Sequence, residues 1–182
     1  MRALAVVVAF AVAGTACSPN PPEALPPCTA DSLISLGQKI PDCSFEGIGG
    51  RPDVRLSAYA GRPLVLNFWA SWCAACIKEM PDIDAVATEL EGRVAFVGMN
   101  MLSVQGETRV AAERFADRTG VAYDLAFDEE GRLYAHFGNV LRPLLPTTVF
   151  VDAEQRVARY KFGEFASAAE VRAAVEDAFG VR

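Results

Sequence analysis

One histidine, His136, and a single pair of closely spaced cysteines leave little material for a structural metal site in this 182-residue chain. Such a site takes four ligands, usually two cysteine pairs or one pair with two nearby histidines. Cys28 and Cys43 stand fifteen residues apart and would have to converge on the point held by Cys73 and Cys76. No zinc or iron–sulfur cluster is therefore expected, nor any other cofactor. Basic residues are also short. Seventeen Lys and Arg against 23 Asp and Glu give a net charge of -6, which offers no cationic face for nucleic acid. Internal repeats are absent, and no apolar run reaches the ~20 residues that span a bilayer as a helix.

The N-terminal run from Ala3 to Ala13 follows Arg2 and leads through small residues to Cys17. A charged start, a short apolar stretch and a small-residue cleavage site form the layout of a secretory signal, expected over residues 1–16. Gly14-Thr15-Ala16-Cys17 resembles a bacterial lipobox, whose cysteine is lipidated and becomes the first mature residue. Gly14 replaces the usual larger aliphatic residue, so secretion after Ala16 or Ala13 is the alternative. Residues 17–27 are proline-rich and fit a stiff, extended tether. Residues 28–182 then suffice for one well-packed domain and not two.

Five cysteines are an odd number for an exported chain, and lipidation at Cys17 would remove the odd one. In an oxidising compartment Cys28 and Cys43 are expected to pair as a structural disulfide. A loop of that size contributes ~3 kcal/mol by chain entropy. The alternative is a second redox pair relaying electrons to Cys73.

Pro63 to Trp69 is a continuous apolar run, which suits a strand buried on both faces. From Cys73 to about Leu90 the pattern is helical, with Cys76, Met80, Ile83, Ala87 and Leu90 at three- and four-residue steps and Pro81 expected to kink it. Val94–Val97 suits a second buried strand, Glu107–Arg118 an amphipathic helix ended by Gly120, Val121–Phe127 a short strand and Glu129–Phe137 a short helix. Thr147–Val151 and Val157–Phe162 flank a turn and predict a hairpin. Ser167 caps a last helix over Ala168–Phe179. The plan is α/β with a mixed central sheet.

Within Cys73-Ala74-Ala75-Cys76 the first cysteine stands where a strand ends and a helix begins. Free backbone N–H groups and the partial positive charge of a helix start stabilise an anion there. Such placement lowers a thiol from ~8.5 into a range of ~3.5–7.5. Cys76 lies on the first turn within bonding reach. A vicinal pair closes a very short loop and constrains the unfolded chain little, so a purely structural role is unattractive. One thiol to attack and one to resolve make a redox pair.

The stretch Phe68-Trp69-Ala70-Ser71-Trp72-Cys73-Ala74-Ala75-Cys76, followed by Pro81, resembles the active-site segment of thioredoxin-fold proteins. LVLNFWASWC, CIKEMP and LLPTTVFVD, in that order, resemble the TlpA/ResA family of membrane-tethered, extracytoplasmic thiol-disulfide oxidoreductases, over a span from about Pro41 to the end. The resemblance implies a thioredoxin-like fold with an N-terminal extension and a central insertion. It implies Cys73 as attacking thiol, Cys76 as resolving thiol and Pro146 as a cis-proline lying against the disulfide. Trp72, Leu145 and Thr147 are then the expected substrate contacts, with Pro143 a loop proline. Asn67 holds the position of the buried aspartate of cytoplasmic thioredoxins and cannot accept a proton. Glu79 matches a family glutamate three residues after the second cysteine. Desolvation and like charge would raise its pKa and suit it to proton transfer; the alternative is a solvated surface residue beside Lys78. Ala75 departs from the proline common in relatives.

Trp69 is expected to pack under the site, His136 on a helix surface or in packing, and Met80, Met99 and Met101 in the core. The expected function is reduction of protein disulfides outside the cytoplasm, in cytochrome c maturation or metal-site thiol reduction. A membrane thiol-disulfide carrier would donate the electrons to a lipid-anchored monomer. A disulfide-forming oxidant is the nearest alternative. A copper-delivery module using Cys73, Cys76 and His136 is a second, although such modules space their cysteines by three residues. A peroxidase fits less well, because its reactive cysteine lacks a partner two residues on.

Overall fold

A computed structural model describes residues 28, 33–138 and 144–181. The signal, the lipidation position Cys17, the whole tether and Pro143 lie outside the described residues. Among the described residues no helix is long and apolar enough to cross a membrane.

A five-stranded mixed sheet organises the domain. β3 (Leu64–Trp69) lies at its centre, parallel to β4 (Ala95–Asn100) and antiparallel to β6 (Thr147–Val151). β5 (Asp124–Phe127) and β7 (Val157–Phe162) complete the order β5-β4-β3-β6-β7. All six residues of β3 are buried, as a central strand covered on both faces requires. A short antiparallel pair, β1 (Ser44–Phe45) and β2 (Val54–Arg55), precedes the main sheet.

Side-chain alternation assigns the layers. Asn67 and Trp69 face the helices: Asn67 bonds Glu79 of α1 (Ala74–Glu89), and the Trp69 ring lies 5.1 Å from Phe115 of α2 (Arg109–Thr119). Phe150 of β6 meets Phe179 of α4 (Ala168–Phe179) at 5.9 Å on that same face, where α1 packs against α4. Phe68 points the other way, against Tyr134 of α3 (Arg132–His136) and against Phe137. The N-terminal segment pairs with the start of edge strand β7: Gly37 donates to the Val157 carbonyl and Val157 returns a bond to Gln38. Sheet edges left bare invite aggregation.

The elements differ from expectation at their ends, each for a local reason. β4 runs past Val97 to Asn100 because its pairing with β3 and β5 continues to Trp69 and Phe127 opposite Asn100. α2 starts at Arg109 and not Glu107, since the Thr108 hydroxyl accepts the Ala111 N–H and makes Thr108 the cap. β5 begins at Asp124, whose carboxylate receives the Tyr59 hydroxyl at 2.7 Å. α3 shrinks to five residues because Gly131 turns at φ 65° and the Asp128 carboxylate accepts the Leu133 and Tyr134 N–H groups. α1 continues through Pro81 as one element. Gly120 at φ 62° closes α2, and Ser167 caps α4.

Candidate active site

β3 ends at Trp69, and a tight turn delivers Cys73, whose N–H donates to the Ala70 carbonyl at 3.1 Å. Cys73 is itself the cap of α1. Its Sγ accepts the Cys76 N–H at 3.2 Å, the place a serine or aspartate oxygen takes at other helices. The two sulfurs are bonded, with Cα atoms 5.2 Å apart. Cys73 retains 6% exposure and Cys76 none. An incoming sulfur therefore meets Cys73 first, and a thiolate left there would keep an amide donor and the helix dipole.

Glu79, one turn beyond Cys76, is fully buried, which excludes the solvated-surface reading. Its Oε1 accepts from Asn67 Nδ2 at 2.7 Å and its Oε2 from the Phe165 N–H at 2.8 Å. Burial raises its pKa to about 7, against the pull of those two bonds and of Lys161. Like charge contributes less than expected: only Glu164 adds to the rise, as the smallest influence. Asn67 also donates to the Thr148 hydroxyl at 3.2 Å, so it ties β3, α1 and β6 together.

The Leu145–Pro146 bond is cis. Thr147, expected to touch substrate, has a buried side chain bonded to the Leu144 carbonyl and near the Tyr134 hydroxyl. Its backbone lies in register between Phe68 and Phe162. Leu145 is half-buried, and Leu144 and Trp72 are exposed, Trp72 at 53%.

Two residues of the central segment join the site without having been anticipated. Glu107 is buried, and its Oε2 accepts the Ser71 N–H at 2.7 Å, pinning the turn before Cys73. Asn100, at the end of β4, is wholly buried with neither amide atom bonded. An unmet buried polar group costs about 1–3 kcal/mol. No local pattern marks either residue, because both are buried by tertiary contact. Cys28 and Cys43 are bonded, Cα atoms 5.2 Å apart. His136 is buried in packing at the end of α3, and Met80, Met99 and Met101 are core. Among the described residues no three His, Cys, Asp or Glu side chains are grouped to share a metal ion.

The model of the AhpC/TSA family matches residues 36–160. Thiol-disulfide oxidoreductase ResA of Geobacillus thermodenitrificans is 32% identical over 130 residues, 71% of this chain and 70% of that one. The chain belongs to the AhpC/TSA family, among its ResA-type thioredoxin-like thiol-disulfide oxidoreductases. Thioredoxin-like protein YneN of Bacillus subtilis is 33% identical over 120 residues, 65% of this chain and 66% of that one. The structure of a DsbF homologue from Corynebacterium diphtheriae superposes with a TM-score of 0.67 at 26% identity, over 78% of this chain and 87% of that one. In a ResA-type oxidoreductase the chemistry needs a thiol pair able to open and close, and the bonded pair at the start of α1 is of that kind.

Proposed function

We propose that this oxidoreductase works in the reducing direction on protein disulfides outside the cytoplasm. The Cys73 thiolate attacks one sulfur of a substrate disulfide, forming a mixed disulfide and releasing the other substrate sulfur as thiolate. Cys76 then loses its proton to Glu79 and attacks Cys73. The Cys73–Cys76 bond closes, the second substrate thiolate leaves, and two electrons have passed to the substrate. A thiol donor at the membrane reopens the pair. Trp72 and Leu145 contact the substrate beside cis-Pro146, while Thr147 contributes through its position in β6. Lipidation at Cys17 would hold the domain at the outer face of the cell membrane.

The observation that carries this reading is the Cys73 sulfur as cap of α1, reachable and held by the Cys76 N–H. The bonded Cys28–Cys43 pair and the charged, apolar, small-residue leader favour an oxidising compartment. Maturation of cytochrome c or of metal-site thiols is the pathway this chemistry would serve. The test is twofold. Reduced protein should cleave insulin disulfides, and Cys76→Ser should accumulate substrates bonded to Cys73. Capture by Cys76 in a Cys73→Ser variant, with none by Cys73, would reverse the roles.

A further inference from the structure

Five buried polar atoms without a hydrogen-bond partner gather on one face of the sheet: Asn67 Oδ1, Trp69 Nε1, both amide atoms of Asn100, and Tyr123 Oη. Register places them together. Asn67 is opposite Gly98, Trp69 opposite Asn100 and Gly98 opposite Leu125, with Tyr123 two residues before Leu125. Alternation turns all of them toward α1 and α2. A Cβ at Gly98 would stand 3.1 Å from both Trp69 Nε1 and a ring carbon of Tyr123. The missing side chain is what lets the indole N–H and the phenol ring come so close. Trp69 and Asn100 are fully buried and Tyr123 is 7% exposed.

Buried polar atoms in native proteins are met by protein groups or by ordered water, and a water needs two to four polar partners. Here the protein supplies such partners side by side. We propose that this face binds a small cluster of internal water molecules through Asn67, Trp69, Asn100 and Tyr123. Through that water, Tyr123 acts as a positioning residue that sets the protonation of Glu79. The Asn67 amide links the cluster to the carboxyl, since its Nδ2 holds Glu79 Oε1 while its Oδ1 is buried without a protein partner. The Tyr123 residue also borders a 330 Å³ cleft with Tyr59, Arg62 and Asp124.

The charges around both groups agree with such coupling. Glu79 is faced by Asn67 from β3, Lys161 from β7, and Phe165 and Glu164 from the loop after it, with Cys76 on its own helix. Tyr123 is faced by Glu79 and Asp84 from α1 and by Arg51. Burial holds its phenol protonated, free to donate and accept. Water anchored by that hydroxyl favours the charged carboxylate. Removing the hydroxyl leaves Glu79 drier and should raise its pKa further.

This inference rests on Glu79 taking the proton of Cys76, and the test separates the two ideas. Tyr123→Phe keeps the ring and deletes one oxygen. The pH profile of thiol reactivity, with an inflection near 7, should move up by about half a unit in this variant and flatten in Glu79→Gln. In the unmodified protein, NMR should show transfer between water and the Trp69 indole N–H. A profile that Glu79→Gln flattens but Tyr123→Phe leaves in place overturns the role of Tyr123 alone. A profile untouched by Glu79→Gln overturns the Glu79 reading and the positioning role with it. An indole N–H without contact to water, together with a higher Tm for Tyr123→Phe, shows a dry site and overturns the hydration.

Discussion

The two disulfides are matched in span, each with Cα atoms 5.2 Å apart, and differ in nearly everything around them. Cys28–Cys43 joins segments fifteen residues apart, ahead of the main sheet. Cys28 lines a cleft with Glu46, Asp128, Glu129, Glu130 and Arg132, and neither cysteine of this pair stands at a helix start. Cys73–Cys76 closes three residues at the start of a sixteen-residue helix, with an amide donor on the outer sulfur. A broken bond at 28–43 would free much chain and gain no stabilised anion. A broken bond at 73–76 would free almost no chain and leave a thiolate in a place built for one. Chemistry and stapling are set by what surrounds the bond.

Loss of one disulfide or the other should have opposite consequences. Cys73→Ser should abolish insulin reduction while leaving thermal stability nearly unchanged. The double variant Cys28→Ser, Cys43→Ser should do the reverse, keeping turnover and losing ~3 kcal/mol of stability by chain entropy. For a domain of this size that is about 10 °C in Tm. Calorimetry and the insulin assay on the same samples check both. Turnover lost in the double variant at temperatures where it is still folded would make the N-terminal pair part of the electron path.

The redox pair was legible in the chain because its signal is local, while the Cys28–Cys43 pairing was expected from an oxidising compartment. A continuous apolar run ending at a helix start places Cys73, and the resemblance to TlpA/ResA segments implied the role of Pro146. The hairpin and the last helix likewise keep their expected bounds, since β-alternation and the Ser167 cap are short-range. What could not be read depends on tertiary approach. Glu107 looks like the first residue of a helix, yet Thr108 takes the cap and frees it to hold Ser71. Thr147 looks like rim, yet Tyr134 from a distant element faces its hydroxyl on the far side of the sheet. Asn100 and Tyr123 resemble ordinary strand residues, and only the register across β3, β4 and β5 brings their unmet atoms to Trp69.

Glu79 belongs to the reactive pair's own helix, one turn beyond Cys76, and burial raises its pKa. As a base it is competent only when ionised, so turnover should rise through about pH 7. Glu79→Gln should flatten that rise and cost about 100-fold above it, the low end for general acid–base catalysis. Stability carries the opposite slope. The folded pKa lies above the unfolded 4.5, so the folded state holds the proton more tightly. Its contribution is full below pH 4.5 and is lost as pH climbs through 7, about 3 kcal/mol in all. The difference in unfolding free energy between wild type and Glu79→Gln, measured from pH 4 to 8, isolates it. A difference independent of pH would mean that Glu79 has an ordinary pKa.

The smallest expected effect concerns who reaches the reactive pair. Trp72 is 53% exposed beside Cys73, with its indole edge against Gly106, where an added Cβ would lie 3.8 Å from Nε1. An aromatic ring so placed suits contact with a protein surface more than any effect on the sulfur. Trp72→Ala should lower kcat/KM for a protein disulfide about tenfold, equivalent to about 1.4 kcal/mol. Attack on a small disulfide should keep its rate, because cap and dipole are untouched. Equal losses on both substrates would place the indole among the groups that ready Cys73, and the boundary between contact and chemistry would shift one residue toward the N-terminus.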